Sequence, residues 1–269
     1  MNKLNNNPKD QEPRYAVPFF MSYDILPAKK EPIMPNHIHT IPVLDALRDP
    51  QGCALCVMHN KLETDAINFI MGPAYMEDDV RTQTNRLGFC ESHLAAMYAG
   101  QNRLGLALML HTYMRQLNKD ISSIIKSKLP SPFFGKDANG PLAKIHAHLV
   151  KAGESCYVCN KIEDTYNRYI DTFLYLWNKG GDDAKLIKSQ KSYCLPHFTL
   201  LVTQADKLSR SKREKFIEEI VLPQLKSMQE LEEDLEWFTL KFDYRYADEP
   251  WKNSKDALPR ALRMLGSAE

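Results

Sequence analysis

The placement of cysteine and histidine constrains this 269-residue chain more than any other feature of its sequence. All six cysteines lie in four short motifs, in the order CxxC, CxxH, CxxC, CxxH, at residues 53–56, 90–93, 156–159 and 194–197. The two CxxC motifs are 103 positions apart, and the two CxxH motifs are 104 positions apart. A near-constant offset across four motifs is typical of an internal duplication.

Cysteine and histidine at this spacing are the usual ligands of a tetrahedral metal ion, because two ligands separated by two residues reach one ion when the backbone turns between them. The pattern predicts eight metal ligands, four from each half: Cys53, Cys56, Cys90 and His93, then Cys156, Cys159, Cys194 and His197. The simplest interpretation places one Cys3His site within each half. Two alternatives are ligands shared between the halves, and one larger cluster where the halves meet.

The ligand set favours zinc, with two ions per chain. Four protein ligands fill the coordination of a structural zinc ion, whereas a catalytic zinc ion keeps one position open. The alternative cofactor is a [4Fe–4S] cluster in each half, for which four cysteines are usual and a histidine is a departure. Buried free cysteines do not explain a pattern that recurs in register with histidines. A thioredoxin-like redox motif does not fit either, because no βαβ pattern surrounds either CxxC.

The sequence around the motifs predicts an all-α fold of two pseudo-repeated helical halves, each held together by its Cys3His site. Each half runs as ligand pair, helix, turn, short helix, ligand pair and long helix. In the first half, the helix that follows Cys56 is expected to end before Gly72-Pro73. In the second half, Pro223 is expected to kink or split the last long helix near Val221 and Leu222.

These elements predict four segments. Residues 1–36 form an irregular N-terminal arm, residues 37–130 the first metal-binding helical repeat, residues 141–243 the second, and residues 244–269 a C-terminal helical tail. The linker between the repeats is placed in Pro130–Pro141, a stretch rich in turn-forming residues.

Two further histidine pairs are weaker candidates for metal ligation. His37 and His39 lie in a stretch that the sequence suggests is extended, where residues two apart share a side. His146 and His148 lie in a predicted helix, where residues two apart diverge. Solvated histidines are the favoured interpretation of both pairs.

Acidic residues near the motifs, and a polar stretch in the tail, are weaker candidates. Glu63, Glu163 and Asp164 follow a ligand cysteine by four to seven residues and could orient a metal-bound histidine, although solvated helix faces normally carry such residues. Residues 243–245, the stretch Asp-Tyr-Arg, could line an enzyme pocket, although such residues more often form a hydrogen-bonded cluster.

The composition argues against several classes of partner. The formal net charge is +1, so the chain lacks the overall positive charge of a dedicated nucleic-acid binder. No signal peptide is visible, and no apolar run approaches the roughly 20 residues of a membrane span. The expected location is therefore the cytoplasm, where thiols are kept reduced and six cysteines need an explanation other than disulfides.

The segments IPVLDAL…CALC, DDVRTQTNRLGFCESHL, SYCLPHF and KFDYRYADEPW…DALPRAL resemble those of an uncharacterised bacterial family, a domain of unknown function with duplicated CxxC…CxxH motifs. The matches span roughly residues 41–266. The resemblance implies that the eight ligands act as one set, but it carries no activity, substrate or cofactor. The family's association with anaerobic bacteria, as the resemblance implies, favours the iron–sulfur alternative somewhat.

The favoured function is that of a non-enzymatic metal-binding protein that serves as an interaction or regulatory module for a protein partner. The alternative is an iron–sulfur protein in electron transfer or redox sensing. An enzyme is disfavoured, because the sequence has no glycine-rich phosphate loop, no HExxH and no GxSxG motif.

Overall fold

The computed structural model describes residues 37–50, 52–126 and 140–266. Within these ranges the regular structure is helical and contains no β-strand, which confirms the all-α prediction. The predicted arm at residues 1–36 lies outside the described residues, as does most of the predicted linker. The α-helices are α1 His37–Arg48, α2 Ala54–Met71, α3 Asp78–Leu87, α4 Glu91–Ala99, α5 Arg103–Lys126, α6 Pro141–Glu154, α7 Tyr157–Lys179, α8 Gly181–Lys188, α9 Leu195–Ala205, α10 Arg210–Phe216, α11 Leu222–Leu240 and α12 Ala257–Leu265.

Glycine residues follow the ends of helices α2 and α3, and the predicted break at Gly72-Pro73 is confirmed. Helix α2 stops at Met71, and Gly72 precedes a 3-10 turn over Pro73–Met76. Helix α3 ends before Gly88, which has a φ of +61°. A Cβ atom at Gly88 would lie 2.5 Å from the ring of Tyr113, so both the backbone conformation and the close packing require glycine.

Pro223 splits the last long helix as predicted. A π-helical turn over Ile217–Val221 separates α10 from α11, and the N–H of Leu222 donates to the carbonyl of Ile217, five residues earlier. Proline has no N–H to donate, and its ring clashes with the carbonyl four residues before it. The local change from bonds between residues four apart to bonds between residues five apart accommodates both effects.

Helix α1 corrects the expectation that His37 and His39 lie in an extended stretch. Both residues belong to the helix His37–Arg48, which contains Pro42. The proline removes one backbone hydrogen bond near the start of the helix. Burial of Val43 and Leu47 on the same helix compensates for this loss.

The chain divides into two compact units by packing. Among the described residues, unit 1 comprises 63–126 with 140–163, and unit 2 comprises 37–62 with 164–266. The boundaries between the units fall within α2 and α7. This division follows contacts in space, whereas the predicted repeats at 37–130 and 141–243 follow the sequence and stay a prediction.

Unit 1 is built on the packing of α3 against α5. Val80 on α3 is buried in this unit, as are Leu106 and Met109 on α5. The Arg81 guanidinium donates to the carbonyl of Leu108 at 3.0 Å, which links the two helices beside the apolar contact.

Unit 2 has a core of large aromatic side chains. Trp177 and Phe173 on α7 are completely buried. The ring of Trp177 packs edge-on against Phe216, with centroids 5.4 Å apart, while its indole N–H donates to the Glu219 carboxylate at 3.0 Å. Both the apolar and the polar parts of this side chain are therefore satisfied.

The C-terminal part of unit 2 is organised by one buried lysine. Lys241 is 8% exposed, and its ammonium group donates to the carbonyls of Tyr246, Ala247 and Glu249. These bonds fold the segment after α11 back on itself, so that α12 packs against α11.

Candidate metal centres

Each of the four motifs lies at the start of a helix. Cys53 and Cys156 immediately precede α2 and α7, and Cys90 and Cys194 are the N-cap residues of α4 and α9. The second ligand of each motif follows three residues later, in the first helical turn. A residue at the helix start and the residue three positions on lie side by side, so the local fold directs both side chains of a motif to one point.

The first cluster, site I, lies in unit 2 and consists of Cys53, Cys56, Cys194 and His197. The Nδ1 atom of His197 is 3.1 Å from the sulfur of Cys194, 3.2 Å from that of Cys56 and 3.7 Å from that of Cys53. The sulfurs of Cys56 and Cys194 are 3.5 Å apart. All four ligand atoms lie within 4.8 Å of one another.

The second cluster, site II, lies in unit 1 and consists of Cys90, His93, Cys156 and Cys159. The Nδ1 atom of His93 is 3.1 Å from the sulfur of Cys90, 3.3 Å from that of Cys156 and 3.4 Å from that of Cys159. The sulfurs of Cys90 and Cys159 are 3.9 Å apart. The ligand atoms again lie within 4.8 Å of one another.

The two Cys3His groups are confirmed, but the pairing of the motifs is not the one expected. Each site combines the CxxC of one predicted repeat with the CxxH of the other, so each cluster draws on both predicted halves. The expectation of one site within each half was wrong, and the alternative of shared ligands is the observed arrangement. Spacing along the chain does not decide this pairing, because either combination places two helix starts together.

In each site the neighbouring thiols lower the pKa of one cysteine and raise that of another, so that one thiol of each site carries the negative charge; the raised ones are Cys56 and Cys159. Hydrogen bonds from Cys194 and Cys56 hold the pKa of Cys53 well below its usual range, against the effect of burial. Hydrogen bonds from Cys156 and Cys159 lower the pKa of Cys90 in the same way. The positive end of each helix dipole adds to this effect. Ionised thiols are the form that binds metal ions.

The two histidines carry the complementary charge. Burial lowers the pKa of His93, but its contacts with Cys156, Cys90 and Glu63 outweigh burial and raise that pKa to about 11. His197 is affected in the same way by Cys194 and Cys53, which raise its pKa to about 9. A metal ion bound to Nδ1 would take the place of the proton on that atom.

Glu63 is the acidic residue near the motifs that the structure brings to a ligand. Its Oε1 atom accepts a hydrogen bond from Nε2 of His93 at 3.0 Å. Such a carboxylate fixes the ring orientation and leaves Nδ1 as the ligand atom. Sequence analysis identified Glu63 only as one of three candidates, since its distance from Cys56 does not reveal that it contacts the histidine of the other site.

His197 has aromatic neighbours instead, which sequence analysis did not assign to the site. The ring of Tyr166 lies 5.9 Å from the ring of His197, and that of His59 lies 6.4 Å from it. The Tyr166 hydroxyl donates to the backbone carbonyl of Leu55 at 3.2 Å. The carbonyl belongs to the first turn of α2, so this bond braces the helix start that holds Cys53 and Cys56.

A family model described as a family of unknown function, DUF6062, matches residues 34–269. The chain belongs to this family. No curated protein and no solved structure matches the chain. Family membership therefore agrees with the resemblance found in the sequence and assigns no activity.

His39, His146 and His148 belong to neither cluster. The ring of His39 packs near that of Tyr169, with centroids 5.7 Å apart, and Nε2 of His148 lies 3.7 Å from a carboxylate oxygen of Asp120. Among the described residues, the groups with metal-binding geometry contain no histidine besides His93 and His197.

The polar stretch in the tail forms a local turn. The Asp243 carboxylate accepts hydrogen bonds from the backbone and the guanidinium of Arg245, the shortest at 2.6 Å. The Arg245 interaction holds the pKa of Asp243 below its usual range. Tyr244 is 88% exposed. Asp243 and Arg245 thus neutralise each other at the surface.

In the part of the chain that the structure describes, no helix combines the length and the apolar character that crossing a membrane requires.

Proposed function

We propose that this protein binds two zinc ions, one in site I and one in site II, and that it acts as a non-enzymatic interaction or regulatory module. The observation that carries the proposal is the convergence of three sulfurs and one Nδ1 atom within 4.8 Å in each site. These are the ligand types and the ligand number of a structural zinc site.

The spacing of the ligand atoms supports a single ion in each site. In a tetrahedral site with Zn–S distances of about 2.3 Å, two sulfurs are separated by roughly 3.8 Å. The sulfur pairs here are 3.5 Å apart in site I and 3.9 Å apart in site II. In a [4Fe–4S] cluster each ligand binds a different iron, so the ligands stand further apart than on one ion.

The completeness of the ligand sets supports a structural role. A catalytic zinc ion binds three protein groups and leaves the fourth position to water or substrate. Both sites here offer four protein groups, which leaves no position for a substrate. In site I the ion would join Cys56 to Cys194, which are 138 residues apart. Binding energy at such a site contributes directly to folding.

A protein partner is supported by apolar side chains on the surface of the C-terminal segment. Phe242 is 75% exposed and Tyr244 is 88% exposed. Exposed aromatic groups close together are typical of surfaces that bind another protein. A cytoplasmic location fits the same function, because metal-binding thiols persist where disulfides do not form.

The test is to purify the protein without oxygen, measure zinc, iron and sulfide per chain, and record the visible spectrum. We expect two zinc ions, negligible iron and a flat visible spectrum. Chelation should lower the melting temperature, and added zinc should restore it. Iron and sulfide with broad visible absorbance would contradict the zinc proposal and support electron transfer or redox sensing.

The partner surface is tested by cross-linking the native protein and the variant Tyr244→Ala to their protein partners and identifying the cross-links by mass spectrometry. We expect the Tyr244→Ala variant to lose cross-links that the native protein forms. The matched control is Tyr98→Ala, which removes another exposed tyrosine, 65% exposed, from unit 1. Equal loss in both variants, or no loss in Tyr244→Ala, would argue against this surface.

A further inference from the structure

The two CxxC motifs are followed by different residues at the same distance. Seven positions after the second cysteine stands Glu63 in α2 and Tyr166 in α7. Both side chains reach the histidine of a metal site, Glu63 in site II and Tyr166 in site I. The two sites therefore have the same types of ligand, but the side chains that contact the histidine differ.

In site II the histidine is hydrogen-bonded to a carboxylate. Glu63 accepts the hydrogen bond from Nε2 of His93, while Nδ1 of the same ring faces the three sulfurs at 3.1–3.4 Å. His93 is 5% exposed and the Glu63 side chain is 26% exposed. A negative charge at this distance, partly shielded from water, makes Nδ1 a stronger ligand.

In site I the histidine lies beside two rings, those of Tyr166 and His59. Tyr166 packs against His197, and its hydroxyl is committed to the carbonyl of Leu55. Packing of this kind limits the motion of the imidazole, but it supplies no charge that strengthens the ligand atom.

We infer that the two sites bind zinc with unequal affinity. Glu63 is a positioning residue that gives site II the higher affinity. The inference rests on the proposed function, since it concerns the same two ions. Site I gives up its ion first to a competing zinc ligand, and the protein passes through a form with one ion in site II. Loss of such an outer hydrogen-bond partner typically weakens metal binding by about 10- to 100-fold.

The experiment follows which cysteines lose protection. Zinc-loaded protein is exposed to a limiting amount of chelator, treated with N-ethylmaleimide at successive times and digested, and the labelled peptides are identified by mass spectrometry. In the native protein, we expect Cys53, Cys56 and Cys194 to be labelled about 10- to 100-fold faster than Cys90, Cys156 and Cys159.

The deciding variant is Glu63→Gln, which keeps the size of the side chain and removes its charge. We expect labelling of the site II cysteines to accelerate by about 10-fold or more, with the site I rate unchanged. The matched control is Glu163→Gln. It makes the same change at an exposed position of the same unit, four residues after Cys159, and should leave both rates unchanged.

Each failure has a distinct meaning. Equal or reversed labelling order in the native protein, or a Glu63→Gln variant that matches Glu163→Gln, would overturn the inference and leave two zinc sites in place. Acceleration at both sites in Glu63→Gln would reveal general destabilisation and also overturn the positioning role. Complete labelling of all six cysteines before chelator is added, with no zinc in the metal analysis, would overturn the proposed function itself.

Discussion

Replacing Cys56 with serine should empty site I and leave site II intact. The variant removes one of four ligands from the cluster that contains Cys194 and His197. Zinc should therefore fall from two ions per chain to one. Of the remaining thiols, Cys53 and Cys194 should become reactive, while Cys90 and the CxxC at 156–159 should stay protected.

The loss in the free energy of unfolding follows from the linkage between zinc binding and folding. With free zinc at 100 times the dissociation constant, one ion stabilises the folded state by about 2.7 kcal/mol. Loss of that contribution should lower the melting temperature of the affected unit by roughly 5–10 °C. The effect should be confined to unit 2, which contains all four ligands of site I.

Thiol labelling with peptide mapping, together with zinc analysis, measures both effects. The corresponding variant in site II, Cys159→Ser, should leave Cys53 and Cys194 protected from labelling and should make Cys90 and Cys156 reactive. Pairing within each sequence repeat requires a different result for Cys56→Ser, in which Cys90 is labelled and Cys194 is protected. That result would refute the assignment of ligands to the two sites.

Three further predictions concern the core, the tail and the effect of pH. Phe173→Ala should destabilise unit 2 by about 3–5 kcal/mol, because it opens a cavity at a completely buried position, and urea unfolding would test this; an unchanged midpoint would contradict it. Lys241→Met should cost about 1–3 kcal/mol, because three carbonyls lose their charged donor, and the segment after α11 should become protease-sensitive while the rest of the chain stays resistant. Zinc affinity should rise with pH, since zinc must displace the proton that His197 holds up to about pH 9 and His93 up to about pH 11; competition titration with a coloured chelator would measure this, and a pH-independent affinity would exclude it.

Local patterns in the sequence predicted most of the secondary structure. The Gly72-Pro73 break and the Pro223 interruption were predicted from the backbone properties of these two residue types, and both lie where expected. Helix α1 was missed. The sequence predicted an extended stretch at His37 and His39, whereas the burial that stabilises the helix depends on neighbours distant in sequence, such as α8.

The sequence by itself predicted which eight cysteine and histidine side chains form the two Cys3His clusters. Cysteine and histidine three positions apart at a helix start converge for local geometric reasons, whatever the rest of the chain does. Only the tertiary structure decided which motifs share a site, because packing of helix starts that are 60–140 residues apart leaves no trace in spacing. The same packing placed Glu63 against Nε2 of His93 and the ring of Tyr166 beside that of His197, so that two clusters of the same Cys3His composition have different neighbours.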